Sequence, residues 1–229
     1  PMQITRRFFT LLLAALLFSS CSMLPGMVSN AQNEFDQGLA LFNSGKYQEA
    51  AARFQKATEL DANFGRAFLY LGRAYVSLQS WSLALTALRR AYQLVPDDTK
   101  SEVLAILVDA LFSVGRRAFQ AGDFVSAIGS FREILGLQAS SAPARSEIVR
   151  SLVAYGGALL SKGSVSQAIS AYSEAVKLIP NNFDAVFGLA KALFRNGDYL
   201  KALQTAEDAV RVDPSNRDIQ SFIQDLRRR

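Results

Sequence analysis

From Ala31 onward the chain repeats itself at an interval of about 34 residues. A period of that length describes one supersecondary unit that cannot bury its apolar face alone, so neighbouring units must stack to share a core. In residues 31–64 the recurring positions hold Gly38, Leu41, Gly45, Tyr47, Ala50, Phe54, Ala57 and Leu60. In residues 65–98 they hold Leu71, Gly72, Tyr75, Trp81, Ala84, Leu88, Ala91, Leu94 and Pro96. Residues 108–141 carry Gly115, Gly122, Phe124, Ala127, Phe131 and Leu137. Residues 149–182 carry Gly156, Leu159, Gly163, Ala168, Tyr172, Ala175, Leu178 and Pro180. Residues 183–216 carry Leu189, Ala190, Leu193, Gly197, Tyr199, Ala202, Ala209 and Pro214.

Physical requirements select these residue types. Small residues at the eighth and twentieth positions let two helices of a hairpin approach closely, and the aromatics fill the space between hairpins. A glycine at the fifteenth supplies the turn, and a proline near the thirty-second ends the second helix. With these residues at these offsets, the chain resembles the tetratricopeptide-repeat family. The resemblance implies an all-α, right-handed superhelical solenoid of about five helix-turn-helix units. The stretch 217–229 holds Ile219, Phe222, Ile223 and Leu226 at helical spacing and reads as a capping helix with a basic tail.

Departures from the pattern carry information. Gln79 stands where the second unit needs its turn glycine, Ala62 replaces a proline, and Ile134 replaces the second-helix alanine of the third unit. Extra residues separate the units at 99–107 and 142–148. In the first of these, Val103, Leu104, Leu107, Ala110, Leu111 and Val114 fall at threes and fours, which predicts a first helix starting near residues 98–101, about two turns longer than standard.

Ahead of the repeats, Arg6 and Arg7 precede an apolar run from Phe8 to Phe18 interrupted only by Thr10, followed by Ser19, Ser20 and Cys21. Crossing a bilayer takes about 20 apolar residues, so this run reads as a signal peptide over residues 1–20. Leu17-Phe18-Ser19-Ser20-Cys21 resembles the bacterial lipobox, with Phe18 in place of the usual leucine. The resemblance implies lipidation at Cys21, with diacylglycerol and an N-acyl chain as the only non-protein groups; no other cofactor and no metal is expected. Ser22 after the cysteine, rather than aspartate, implies an outer-membrane anchor facing the periplasm. Residues 21–30 then read as the lipidated cysteine and a tether of at most about 30 Å.

Composition narrows the function. With no histidine and one cysteine the chain supplies neither a histidine base, a Cys/His dyad, a His-bound metal nor an internal disulfide. No catalytic residues and no enzymatic activity are expected. Arg6 and Arg7 are the only charges in residues 1–20, so the net charge of +5 falls to +3 once that segment is gone. An excess that small does not suggest nucleic-acid binding.

In the family resembled, the concave groove is lined by first-helix residues. Carried onto this sequence, the fifth positions hold Phe35, Leu69, Phe112, Val153 and Phe187, and the twelfth hold Phe42, Val76, Phe119, Leu160 and Phe194. Arg73, Arg116 and Lys191 stand at ninth positions and Arg195 at a thirteenth. The resulting surface is greasy with a basic line, suited to an amphipathic or acidic-apolar segment of another envelope protein. Members that clamp chaperone tails use Lys and Asn where this chain has Phe35 and Leu39, so no chaperone-tail clamp is expected. Lipobox and repeats together resemble the pilotin-type lipoproteins of type IV and Tad pilus or secretion systems. Adaptors for peptidoglycan hydrolases or proteases, β-barrel assembly components and polysaccharide-export scaffolds are the alternatives.

Overall fold

A computed structural model describes residues 25–228, with side chains from Asn30 onward. Within them lie eleven helices: α1 (Pro25–Asn43), α2 (Tyr47–Leu60), α3 (Gly65–Ser77), α4 (Trp81–Leu94), α5 (Asp97–Gln120), α6 (Phe124–Leu137), α7 (Ala142–Ser161), α8 (Val165–Leu178), α9 (Phe183–Arg195), α10 (Tyr199–Val212) and α11 (Arg217–Arg227). The described residues contain no strand, so the all-helical expectation holds. Residues 1–20 and Cys21 lie outside the described residues. α1 begins at Pro25, which corrects the reading of residues 25–30 as tether. Proline is tolerated at the first helical position because its missing N–H would have no intrahelical partner there.

The chain divides after Val103 into two compact units. In the N-terminal unit α1 packs on α2, α2 on α3 and α3 on α4. In the C-terminal unit the same sequential order runs from α6 through α11, and α7 also touches α9.

One turn closes every hairpin. The N–H groups of Lys46, Ser80, Asp123, Ser164 and Asp198 donate to the carbonyls of Leu41, Tyr75, Ala118, Leu159 and Leu193 at 2.9–3.0 Å. This bond, reaching back five residues, requires a left-handed residue just before the donor. Gly45, Gly122, Gly163 and Gly197 supply it at φ 77–87°, and Gln79 adopts the same conformation at φ 54°.

Inside the hairpins, small and large residues are matched. A Cβ on Gly38 would stand 2.7 Å from Phe54, one on Gly72 2.6 Å from Leu88, one on Gly115 2.6 Å from Phe131, and one on Gly156 2.7 Å from Tyr172. The fifth hairpin has Ala190 and Ala206 at the equivalent positions, both fully buried. With the large partner replaced by alanine, the small one has room for a methyl group. Tyr172 is gripped from both sides, since a Cβ on Gly188 of the next hairpin would lie 2.2 Å from its ring. Burial pushes the Tyr172 phenol upward, with a smaller contribution from Asp184.

The inserted residues are helical: α5 has 24 residues and α7 has 20, against 13 in each of α3 and α9. The later first helices begin on side-chain caps. Ser141 accepts from the Ala144 N–H, Asn182 from Ala185, and Asn216 from Asp218 and Ile219. Both described ends turn polar residues to solvent. α1 exposes Gln32, Asn33, Asp36 and Gln37, while α11 buries Ile219, Ile223 and Leu226 and exposes Gln220, Gln224 and Asp225.

Candidate functional site

The residues expected to line a groove do not form a single open surface. Phe35 and Leu69 are core: they are 1% and 2% exposed, which corrects their assignment to the groove. Phe35 meets Phe54, Phe64 and Tyr70 with ring centroids 5.1–5.6 Å apart. Its position lies one turn before the close-packing Gly38, on the side of α1 that faces α2 and α3.

The twelfth-position residues are half-buried, and three of them share one arrangement. Phe42 stands edge-on to Tyr47 at 5.2 Å, Phe119 to Phe124 at 5.5 Å, and Phe194 to Tyr199 at 5.5 Å. Each pair spans the glycine turn of its own hairpin and offers the edge-to-face geometry that aromatic rings prefer. Val76 and Leu160 stand at the same position in the second and fourth repeats, opposite Trp81 and Val165. These side chains hold the first helix to the second and leave only part of each ring for a partner.

Cations lie over the remaining faces. Arg116 sits 5.3 Å from the Phe112 ring, Lys191 4.4 Å from Phe187, Arg150 4.1 Å from Phe119 and Arg73 5.1 Å from Tyr70. The two pairs Phe112/Arg116 and Phe187/Lys191 have the four-residue helical spacing that brings side chains together on one face. Arg195 donates instead to the Leu160 carbonyl at 3.2 Å.

Both ninth-position arginines are also neutralised. Arg73 pairs with Glu102, and Arg116 pairs with Glu147 at 3.1 Å, the same carboxylate that Arg150 reaches at 3.2 Å. Glu102 and Glu147 belong to the inserted stretches 99–107 and 142–148. The long first helices thus carry a carboxylate back to the arginine of the preceding repeat. Sequence reading located the insertions and the arginines separately. A signal was present, because each insertion contains a glutamate, but its reach depends on how the helices pack.

A second feature was missed. Between α6 and α8 a cleft of 380 Å³ is lined in part by Val125, Ile128, Leu152 and Tyr155, of which Val125 is exposed. The Arg132–Glu174 ion pair crosses it. Between α8 and α10 a further cleft of 640 Å³ is lined in part by Val176, Val186 and Leu189. Both follow the second helices, where sequence reading sought no site. Among the described residues no helix is long and apolar enough to cross a membrane.

Comparison with known proteins agrees with the hairpin geometry. Residues 35–99 and 159–226 each match the tetratricopeptide repeat family. The chain is 28% identical over 183 residues to the BBSome complex member bbs-4 of Caenorhabditis elegans, covering 79% of this chain and 37% of that protein. It is 24% identical over 187 residues to a DnaJ homolog subfamily C member 7 homolog of Schizosaccharomyces pombe, covering 77% and 38%. The chain therefore spans less than two-fifths of the length of these relatives. Among solved structures, MamA shares 20% identity with a TM-score of 0.37, covering 81% of this chain and 92% of that one. YrrB, a tetratricopeptide-repeat protein with an unusual peptide-binding site, shares 16% with a TM-score of 0.35, covering 83% and 90%. With the two matched segments together spanning more than half of its length, and with one turn and one small-to-large pairing recurring in its hairpins, this chain is built of tetratricopeptide repeats.

Proposed function

We propose that this chain is a protein-interaction scaffold held on the periplasmic face of a bacterial outer membrane by acyl chains on Cys21, helping a pilus or secretion system assemble in the manner of pilotin-type lipoproteins. The observation that carries the scaffold reading is the first-helix surface itself: half-buried aromatic rings topped by exposed cations, repeated along the array. Aromatic and arginine side chains dominate the energetics of protein interfaces. The mechanism is non-covalent and uses no cofactor or metal. The anchor is supported by the sequence Leu17-Phe18-Ser19-Ser20-Cys21, in which the chain's one cysteine follows an apolar run after two small serines. Each buried methylene of an acyl chain adds about 0.8 kcal/mol of membrane affinity, and several chains make attachment stable.

Cys21→Ser in the full-length chain is expected to move the protein from the membrane to the soluble fraction. A deletion strain is expected to lose secretin multimers from the outer membrane, and Phe187→Ala/Lys191→Glu is expected to fail to restore them. Normal multimers in the deletion strain would overturn the pilotin-like role. A Cys21→Ser variant that stays membrane-bound would overturn the anchor.

A further inference from the structure

We infer that the two helical insertions act as built-in occupants of the basic line, so that an acidic-apolar partner segment is received at the fifth repeat, by Lys191, Arg195 and Lys162 beside Phe187 and Phe222. The inference rests on the first-helix surface being the working face, and it states where on that face the partner sits.

Three ninth positions carry cations: Arg73, Arg116 and Lys191. The first two are followed by repeats whose first helices are extended, and each extension delivers one glutamate onto them. The fifth repeat is followed by α11, which begins at Arg217 immediately after its cap Asn216 with no extension, so no glutamate is delivered onto Lys191. Lys191, Arg195 and Lys162 are all exposed and make no ion pair with a described carboxylate.

The three cations belong to one neighbourhood. Lys162 caps the C-terminus of α7, and Arg195 reaches the same end through the Leu160 carbonyl at 3.2 Å. Lys191 lies one turn before Arg195 on α9, its ammonium 4.4 Å from the Phe187 ring. That ring and Phe194 both meet Phe222 of the capping helix, at 5.7 and 5.6 Å. The result is a half-buried aromatic bed edged by three uncompensated positive charges. A segment carrying carboxylates and apolar side chains complements it in both respects, whereas a basic or purely apolar segment does not. At the second and third repeats an incoming carboxylate must first displace Glu102 or Glu147, which already holds the arginine.

The test uses the full chain and a fluorescein-labelled peptide alternating Glu-Leu with Asp-Phe, read by anisotropy, beside an isosteric peptide carrying Gln and Asn. The acidic peptide is expected to bind more tightly than its amide counterpart, with the preference shrinking as salt rises. Lys191→Ala/Arg195→Ala is expected to weaken it about tenfold, and Arg116→Ala to leave it within about twofold. Freeing Arg116 by Glu147→Gln is expected to strengthen binding severalfold. Both cations are exposed, and unchanged far-UV circular dichroism identifies variants that remain folded. Equal binding of the two peptides, or an Lys191→Ala/Arg195→Ala variant that binds as well as the parent, would overturn the inference. Loss confined to Arg73→Ala or Arg116→Ala would overturn the location while leaving the first-helix surface as the working face. Glu147→Gln without effect would overturn the part assigned to the insertions.

Discussion

Glycine does two opposite jobs in this chain. Gly188 is needed for space: a methyl group there would meet Tyr172 at 2.2 Å, and that ring is held from the other side by Gly156. Gly129 and Gly136 lie in α6 with nothing within 4 Å of where a Cβ would be. Alanine raises helix propensity by about 1 kcal/mol at all three sites, but overpacking a buried ring costs about 1–3 kcal/mol. Gly188→Ala is therefore expected to lower the thermal midpoint, and Gly129→Ala or Gly136→Ala to raise it, in parallel melts followed by circular dichroism.

A second prediction at this scale concerns Glu34, 8% exposed on α1. Its carboxylate accepts from Lys56 at 2.7 Å and from Arg53 at 2.9 Å. Those hydrogen bonds, Lys56 first, hold its pKa below the usual 4.5. A depressed carboxyl pKa in the folded state contributes stability that is present above the unfolded value and lost as pH falls through the folded one. Glu34→Gln is expected to be less stable than the parent at neutral pH, and the difference to close as pH drops below about 4.5. Melting midpoints collected against pH for both proteins check this, and a constant gap down to about pH 3 would contradict it.

Among the elements, the turn between α3 and α4 is the one built without glycine. Gln79 occupies a left-handed conformation at φ 54°, which costs a residue with a Cβ roughly 1–2 kcal/mol. Glycine there relieves the strain but gives up backbone entropy on folding. Gln79→Gly is expected to stabilise the N-terminal unit by about 0.5–1 kcal/mol net. Trp81, the chain's only tryptophan, starts α4 two residues later, so its fluorescence in a denaturant titration reads the effect. Element length matters as well. α5 and α7 differ from α3 and α9 mainly at their N-terminal ends, and the added turns place Glu102 and Glu147 against Arg73 and Arg116. Exposed ion pairs of this kind contribute little to stability, typically under about 1 kcal/mol. Their consequence lies in which cations stay available.

At the scale of the whole molecule, helices within each compact unit pack on their sequence neighbours, so stability is close to a sum of local terms. A lesion at one end is felt most by that end. Ile219, fully buried in the cluster that α11 forms with α9 and α10, is expected to cost about 2–4 kcal/mol when replaced by alanine. In Ile219→Ala the far-UV circular dichroism transition should move to lower denaturant while the Trp81 transition moves less. Equal shifts in both probes would show that the chain unfolds as one cooperative body.

The 34-residue pattern alone determined the helical hairpins, their turns and the small residues where paired helices approach, because those features depend on residues close in sequence. That Phe54, Leu88, Phe131 and Tyr172 fill the space over the glycines inside their own hairpins was decided by the tertiary structure. The pattern also located both insertions and the cations Arg73, Arg116, Lys191 and Arg195, but not Arg150 over the Phe119 ring. Burial of Phe35 and Leu69 was decided by the tertiary structure, as was the edge-on pairing of Phe42, Phe119 and Phe194 across their turns. A helical period says which side chains share a face, but the width of that face that a neighbouring helix covers depends on crossing geometry. The same holds for charge. Glu102 and Glu147 stand 29 and 31 residues from the arginines they meet, and only the packing of successive first helices brings them together.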